Sequence, residues 1–287
     1  MVPTCKMFFT LFVLLFICGK VVCQDFSFIL LSDLHFKGDS LHYNRCKDLI
    51  YSINSNEDNI TANTPAFVWV LGDITDAGKE EQWNEYVSLF GLNGDSLLKY
   101  NVFESFGNHD GNVDGYVRAQ IKKRNKIRGY NIFTDPLGLH YSWDINGIHF
   151  VNLNLYPGNE WEDSCEWCKY FKESFREPQY SLSFLEQDLK KNVGNSETPI
   201  IIGFHIGFDE FGLKWWTENQ REQFYNAIKN YNILAVFSGH NHQFRSAIWK
   251  DIRVINVESP FNSITKGEYM KIIIDRRTEI SIQHILY

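Results

Sequence analysis

The chain has 287 residues, enough for one large domain with a sizeable core, and its 44% hydrophobic and 16% aromatic content is typical of a globular protein. Its formal net charge of −7 makes it a poor partner for the phosphate backbone of nucleic acids. We therefore expect no nucleic-acid partner.

The first 23 residues are predicted to be a secretory signal peptide. Lys6 supplies the positive charge, Met7–Cys18 is apolar, and Val21 and Cys23 are small enough to precede a cleavage site. The apolar segment is shorter than the roughly 20 residues of a transmembrane helix, and an uncleaved anchor remains the alternative. We expect residues 24–287 to be one domain, secreted or held in the lumen of the secretory pathway, with no transmembrane segment.

Strand and helix signals alternate along this domain. Short apolar runs predict strands at Phe26–Leu31, Ala66–Leu71, Asn101–Phe106, Pro199–Phe204 and Ile233–Ser238. Helices are predicted at Asp39–Asn54, Glu80–Phe90, Val113–Asn125, Ser183–Asn192 and Thr217–Asn230. The last two helices each open with a capping box, formed by Ser183 with Glu186 and by Thr217 with Gln220.

The remaining segments are rich in strand signals. Asn146-Gly147 predicts a hairpin between His140–Ile145 and Ile148–Asn154. Three C-terminal segments are expected to be antiparallel strands that complete a second sheet: Ile252–Val257, Tyr269–Ile274 and Glu279–Leu286. Early alternation followed by strands predicts a mixed four-layer α/β sandwich.

Each of the five apolar runs ends in Asp, Asn or His. The blocks are Asp33-Leu34-His35, Gly72-Asp73, Gly107-Asn108-His109-Asp110, His205 and Gly239-His240-Asn241-His242. Ligand sites in α/β sheets lie outside the carboxyl ends of the strands. One such block arises easily by chance, but five together indicate a common site.

In this order the blocks resemble the calcineurin-like metallophosphoesterase superfamily, over Asp33 to His242. The resemblance implies two facing, mixed β-sheets flanked by helices, with two metal ions at the carboxyl edge of the strands. One ion would be held by Asp33, His35, Asp73 and His242, and the other by Asp73, Asn108, His205 and His240. These carboxylate, amide and imidazole ligands accept Zn, Mn, Fe or Co.

The resemblance also implies a reaction, in which a hydroxide bridging the two ions attacks a phosphorus atom in line. His109 would protonate the leaving oxygen or stabilise the transition state, and Asp110 would orient His109. A structural imidazole at His109 and a helix N-cap at Asp110 are the alternatives. Asp76 is interpreted as a helix cap rather than as a neighbour of the metal ligands. Purple acid phosphatases carry a tyrosine ligand at its position, so an Fe(III) charge-transfer site is not expected.

Several other segments carry weaker signals. Asn154 and Tyr156 are candidates for the pocket lining, with ordinary loop roles as the alternative. The aromatic segment Phe208–Trp216 is predicted to overhang the metals, either as a wall for the organic part of a substrate or as a cover for the core. Trp161–Tyr180 is a similar insertion, and a Cys165–Cys168 disulfide is favoured over zinc binding there. Asn59-Ile60-Thr61 is a glycosylation sequon.

The sequence thus predicts a secreted, metal-dependent hydrolase of phosphomonoesters or phosphodiesters, whose substrate is a small phosphoester or a phospholipid head group. The alternative is a non-catalytic metal-binding or protein-binding scaffold on the same fold. A secreted adhesion domain would not explain the five blocks.

Overall fold

The structure is a computed structural model that describes residues 25–55, 64–128, 131–162, 164–166, 178–262 and 267–287. Two β-sheets of five and seven strands pack face to face, with helices against their outer faces. The predicted sandwich of two mixed sheets flanked by helices is therefore confirmed. The predicted signal peptide and the sequon at Asn59 lie outside the described residues.

The five-stranded sheet contains the first three predicted apolar runs. Strands β1 (Phe26–Leu31), β2 (Pro65–Leu71) and β3 (Val102–Ser105) are parallel neighbours. Every residue of β1 is buried. Successive side chains of β1 point alternately into the core between the sheets and into the layer beneath the helices. Both faces of the strand are therefore apolar, and its sequence is a continuous apolar run.

The seven-stranded sheet contains the other two runs and the hairpin. Its strands are β4 (Ile132–Thr134), β5 (Tyr141–Ile145), β6 (Ile148–Asn152), β7 (Ile200–Ile206), β8 (Ile233–Gly239), β9 (Arg245–Trp249) and β10 (Ile252–Asn256), in the spatial order β4-β5-β6-β7-β8-β10-β9. The hairpin is confirmed, because Asn146 and Gly147 join β5 to β6 with positive φ angles of 51° and 77°.

The prediction for the C-terminal tail is wrong in its sheet assignment. Only β10 joins the seven-stranded sheet, where it runs parallel to β8 and antiparallel to β9. Strands β11 (Glu268–Ile274) and β12 (Ile280–Leu286) extend the other sheet antiparallel, with β11 beside β1. Strand β9 was not predicted, because four of its five residues are exposed and it lacks an apolar run.

The helices are α1 (Ser40–Ser55), α2 (Glu80–Phe90), α3 (Tyr116–Ile127), α4 (Ser181–Asp188) and α5 (Glu218–Ile228). The capping box of α5 is confirmed: the Thr217 hydroxyl accepts the Gln220 N–H at 3.2 Å, and Gln220 Oε1 accepts the Thr217 N–H at 3.0 Å. The capping box predicted at Ser183 is wrong. Helix α4 begins two residues earlier, and the Ser183 N–H is bound by the Asn159 side chain at 2.8 Å.

Aromatic side chains fill the core between the two sheets. Phe28 stacks on Phe67 at 4.9 Å and meets Phe150 of the opposite sheet edge-on at 5.6 Å, both between ring centroids. Trp69 and Trp143 make a similar edge contact across the sheets at 5.2 Å. Offset and edge-to-face pairs of this kind favour one fixed arrangement of the sheets. The carboxyl ends of β1, β2, β3, β7 and β8 are thereby held at one edge of the sandwich.

Candidate metal centre

The five polar blocks meet at this edge, as predicted. Asp33, His35, Asp73 and Asn108 follow strands of the five-stranded sheet, whereas His205, His240 and His242 come from the other sheet. His205 joins the two sheets there: its Nδ1–H donates to the carbonyl of Leu71 at 2.7 Å. Because a carbonyl only accepts, Nδ1 carries a proton and the opposite nitrogen, Nε2, is directed at the other ligand residues.

One group of donor atoms surrounds Asp33. His242 Nε2 lies 3.4 Å from Asp33 Oδ1 and 3.1 Å from His35 Nε2. His35 Nε2 in turn lies 3.8 Å from Asp33 Oδ1 and 3.9 Å from Asp73 Oδ2. These are the four residues predicted to hold one ion.

A second group surrounds His205. Its Nε2 lies 3.0 Å from Asp73 Oδ2 and 3.1 Å from Asn108 Oδ1. Donor atoms of Asp73, His205 and His240 all lie within 4.8 Å of one another. These are the four residues predicted to hold the other ion.

Both groups have the spacing that a divalent ion requires. Donor atoms bound about 2.1 Å from one ion lie about 3.0–3.5 Å apart, which matches the shorter distances in both groups. Within the described parts of the chain, Asp33 Oδ1 and His240 Nε2 are buried without a hydrogen-bond partner. Buried polar atoms normally have partners, so these two orphaned atoms indicate that a cation belongs there.

Asp73 lies between the two groups and faces both with a single oxygen. Its Oδ1 accepts the backbone N–H of His109 at 2.7 Å. Its Oδ2 faces both His205 Nε2 and His35 Nε2. Asp73 is therefore suited to bridge two ions through Oδ2 while Oδ1 fixes the orientation of the carboxylate.

The electrostatics of the site favour bound cations. Burial alone would raise the pKa values of Asp33 and Asp73, but the imidazoles of His242 and His205 outweigh burial and hold both pKa values below the usual range. Two buried, ionised carboxylates require positive charge close by. Burial lowers the pKa of His240 to about 3, so this imidazole is neutral, as a ligand must be.

His205 differs from His240. Burial disfavours its charged form, but the carboxylate of Asp73 outweighs burial and raises the pKa of His205 to about 9. A proton and a metal ion therefore compete for its Nε2 atom.

Most of the predicted ligands have strained backbone conformations. The φ angle is 55° at Asp33, 46° at His35, 50° at Asp73, 76° at His240 and 57° at His242. A left-handed conformation costs a non-glycine residue about 1–2 kcal/mol and persists only where the surroundings enforce it. The strand ends thus turn sharply to direct these side chains into the site.

Two glycines of the polar blocks, Gly107 and Gly239, are required by close packing beside the ligands. A Cβ atom at Gly107 would overlap Asp73 Oδ1 and lie 2.5 Å from the Asp73 nitrogen. A Cβ atom at Gly239 would overlap the Ser32 hydroxyl and lie 2.9 Å from Asp33 Oδ2. Glycine at both positions allows the backbone to approach a ligand residue closely.

His109 lies at the open side of the site. It is exposed, and its ring meets the ring of His35 edge-on at 4.6 Å between centroids. Its Nδ1–H donates to the backbone carbonyl of Asp76 at 2.8 Å. Nε2 is then the nitrogen of His109 that can exchange a proton with a substrate.

The predicted orienting role of Asp110 is wrong, because the Asp76 carbonyl occupies the Nδ1 atom of His109. The carboxylate of Asp110 instead accepts hydrogen bonds from the backbone of Ile74, Thr75 and Gly107 and from the Thr75 hydroxyl. Burial and the charge of Asp73 raise the pKa of Asp110 to about 6. Asp110 thus fastens the loops after β2 and β3 to each other. It is not a helix cap either, since α3 begins at Tyr116.

Asp76 is not a helix cap, contrary to the preferred interpretation. Helix α2 begins after Lys79, and the Gln82 side chain accepts the N–H groups of Ala77 and Lys79 at 2.9 and 3.4 Å. Asp76 lies instead beside His35, with Oδ1 3.7 Å from His35 Nδ1. The sequence signal for this location was its position three residues after Asp73, the aspartate predicted to hold both ions.

The aromatic segment Phe208–Trp216 divides between the two predicted roles. Phe211 stacks on His240 with ring centroids 5.0 Å apart, and Trp215 meets the same imidazole edge-on at 4.9 Å. Phe208 and Trp216 pack against each other and against Phe224. The first pair therefore adjoins the predicted metal ligands, whereas the second pair covers the core.

The other candidates are more remote from the ligands or only partly described. Asn154 is buried; its Oδ1 accepts the Phe106 N–H at 3.2 Å, and its carbonyl accepts the His205 N–H at 2.6 Å, so it supports the site. Tyr156 is buried against Trp216. Cys165 is disulfide-bonded, and its predicted partner, Cys168, lies outside the described residues with most of Trp161–Tyr180.

The site opens to solvent beside His109 and His242. The side chains of Asp33 and His205 are fully buried, whereas the His242 side chain is 42% exposed and His109 is exposed. A ligand would therefore approach across His109 and His242. A cavity of about 580 Å³ between Phe133–Leu137 and α4 includes none of the ligand residues.

Within the described residues, no helix is both long and apolar enough to span a bilayer.

No curated protein matches the chain in sequence. Among solved structures, a dimetal phosphatase from Danio rerio is similar with a TM-score of 0.60 and 14% identity, over 90% of this chain and 98% of that one. GAP50 of Plasmodium, described as the anchor in the inner membrane complex, is similar with a TM-score of 0.56 and 12% identity, over 92% and 84%. At these identities the two structures support the fold alone.

The sequence model of the calcineurin-like phosphoesterases matches residues 26–244, which contain all five polar blocks. The chain belongs to the calcineurin-like phosphoesterase family.

Proposed function

We propose that the chain is a hydrolase of phosphoesters that depends on two divalent metal ions. One observation carries this proposal: seven predicted ligand side chains converge in two groups that share Asp73 Oδ2, with His109 beside them at the open side. Family membership supports hydrolase activity in general. The nitrogen and oxygen donors accept Zn, Mn, Fe or Co.

Each ligand residue has a defined task in this proposal. Asp33, His35 and His242 would hold one ion, Asn108, His205 and His240 the other, and Asp73 both. When bound, the ions supply a water molecule of lowered pKa as the nucleophile and neutralise charge on the phosphoryl oxygens. Asn108 contributes an uncharged oxygen, which leaves its ion more electrophilic than a second carboxylate would.

His109 would act on the leaving group. Its Nδ1–H is held by the Asp76 carbonyl, so Nε2 is the atom available to donate a proton to the departing oxygen. The ring stands over His35, at the side of the site from which a substrate would enter. The proton on Nε2 would return from solvent after each turnover, because the residue is exposed.

The proposed substrate is a small phosphomonoester or phosphodiester, or a phospholipid head group. Phosphate oxygens can reach the ligands from the side of His109 and His242, where the site is open. The negative charge of the chain disfavours a nucleic-acid backbone, so the cations of the site would be the main attraction for an anionic ester. The stacked Phe211 and Trp215 are candidates for contacts with its organic part.

The location of the protein is part of the proposal. A signal peptide over residues 1–23 would direct residues 24–287 into the secretory pathway, and the sequon at Asn59 would be glycosylated there. A disulfide bond at Cys165 is consistent with an oxidising compartment.

The second candidate is a scaffold without turnover. The Plasmodium structure with a similar fold is described as an anchor, so an anchoring role on this fold is the alternative. The retention of His109 and of all seven ligands favours the enzyme, because a scaffold has no need for them.

Hydrolysis of bis-p-nitrophenyl phosphate and of p-nitrophenyl phosphate tests the proposal. The protein would be stripped with a chelator and then reloaded with Mn²⁺ or Zn²⁺, beside His109→Ala. We expect metal-dependent turnover that falls by about 100-fold or more in the variant, because general acid catalysis contributes about 10²–10⁴-fold. The preferred ester would identify the substrate class.

Asp114→Ala is the control, since Asp114 is an exposed aspartate in the loop between His109 and α3. It should retain full turnover. Wild-type protein that binds two metal ions and hydrolyses neither ester would contradict the proposal for small esters and favour the scaffold.

A further inference from the structure

We propose that Asp76 is a positioning residue whose carboxylate accepts the Nδ1–H of His35 and so holds His35 Nε2 towards the metal centre. The role rests on the proposed function of the site. It adds a residue that contacts neither a metal ion nor the substrate.

The tautomer of His35 comes first. Its Nε2 atom is the one directed at Asp33, Asp73 and His242. An imidazole that ligates through Nε2 carries its proton on Nδ1, and this N–H normally donates to a carboxylate or carbonyl. His205 follows the rule, with the Leu71 carbonyl as acceptor. His35 Nδ1 is buried and has no hydrogen-bond partner among the residues that the structure describes.

Asp76 is placed to supply the missing acceptor. Its Oδ1 is 3.7 Å from His35 Nδ1, about 0.8 Å beyond the usual length of a hydrogen bond. Its backbone is fixed beside His35, because the Asp76 N–H donates to the Phe36 carbonyl at 3.0 Å. The Asp76 side chain is 45% exposed, so it has room to rotate and close this gap.

Asp76 also binds His109. The Asp76 carbonyl accepts the Nδ1–H of His109 at 2.8 Å. Asp76 would thus hold a metal ligand through its side chain and the proposed acid through its backbone. A side-chain substitution removes the first contact and leaves the second, so the two roles can be separated.

A third cation is the competing explanation, since donor atoms of His35, Asp76 and His109 lie within 4.8 Å of one another. Nδ1 of His35 would have to lose its proton to bind it while Nε2 ligates another ion. Nδ1 of His109 is already bound to the Asp76 carbonyl. A hydrogen bond from the His35 Nδ1–H to the Asp76 carboxylate gives both groups a partner. It does not require His35 to lose a second proton.

The test is a titration of chelator-stripped protein with Mn²⁺ and Zn²⁺, against a competing chelator, for wild type, Asp76→Ala and Asp76→Asn. Loss of a residue that orients a metal ligand typically weakens metal binding about 10–100-fold. We expect Asp76→Ala to show that loss for one metal equivalent and none for the other, which His205, His240 and Asn108 serve. The amide oxygen of Asp76→Asn still accepts a hydrogen bond, so this variant should recover part of the affinity.

Two further measurements separate positioning from a general structural role. In Zn²⁺-loaded wild type, NMR should detect a protected imidazole N–H proton of His35 that Asp76→Ala loses. Asp114→Ala, the exposed control, should match wild type in both metal affinities. Thermal unfolding of the stripped variants should match that of wild type.

Unchanged affinities in Asp76→Ala would overturn the proposal, as would a third bound equivalent or an equal loss at both sites with reduced thermal stability. None of these readouts requires turnover. If wild type binds two ions without hydrolysing any ester, the proposed function fails while the role of Asp76 is still decided by the titration.

Discussion

Replacement of Gly107 by alanine tests whether Asp73 must lie where the structure has it. A Cβ atom at this position would lie 2.7 Å from Asp73 Cγ, against the roughly 3.5 Å that two carbon atoms require. Gly107 does not have a left-handed φ, so alanine can adopt its backbone conformation. The overlap of the added Cβ atom with Asp73 is what opposes the substitution. The same Cβ atom would lie 2.5 Å from the Asp73 backbone nitrogen, so the whole of Asp73, its carboxylate included, must move by about 1 Å.

This displacement is large for a metal ligand, because metal–ligand distances vary by only about 0.2 Å between functional sites. Asp73 Oδ2 faces both donor groups, so both ions should be affected. We expect Gly107→Ala to bind each of two Mn²⁺ equivalents at least about 100-fold more weakly than wild type in a calorimetric titration. Turnover should fall in parallel.

Gly138→Ala is the matched control. No atom of the described residues lies within 4 Å of the position that a Cβ atom would take there, but the φ of Gly138, +73°, is left-handed. The substitution should lower the free energy of unfolding by about 1 kcal/mol and leave metal affinity unchanged. Folded Gly107→Ala that binds two equivalents with wild-type affinity would refute the bridging role of Asp73.

Two predictions concern stability away from the site. Burial opposes the charge on His149, but hydrogen bonds to Asp144 and Asp188 raise its pKa from 6.5 to about 9. Because the folded pKa is raised, its stabilisation is complete below about pH 6.5 and is lost as pH rises through about 9. Urea unfolding should show the advantage of wild type over His149→Gln shrinking by at most about 3 kcal/mol across that window, and parallel curves would contradict this. Glu104 is fully buried between Arg124 and Arg128, so Glu104→Gln should cost about 3–5 kcal/mol in the same assay. A loss under about 1 kcal/mol would show that the two arginines do not need this charge.

The position of the site could be predicted because it follows from burial. Strands such as β1 are buried on both faces, so their sequences are unbroken apolar runs. A charged or polar residue directly after such a run must lie at the edge of the sheet. The sequence alone therefore places Asp33, Asp73 and His205 at strand ends, and the family resemblance brings the strand ends of both sheets into one site.

The contacts between the loops could not be predicted. Asp110 binds the backbone of Ile74 and Thr75 because the loops after β2 and β3 fold against each other, with Asp73 in a left-handed conformation. The sequence pattern does not show whether the carboxylate of Asp76 or that of Asp110 lies beside His35.

Sheet membership in the tail was also beyond the sequence pattern. Strands β10 and β11 are both apolar and both mostly buried. Periodicity indicates that each is a strand, but the choice of neighbour depends on the connection between them.

The most direct test of the central claim is turnover of the preferred ester as Mn²⁺ is added stepwise to chelator-stripped protein. Two donor groups that share Asp73 predict that activity rises until two equivalents per chain are bound and then levels off. Saturation at one equivalent, or full activity in the stripped protein, would contradict the two-metal account.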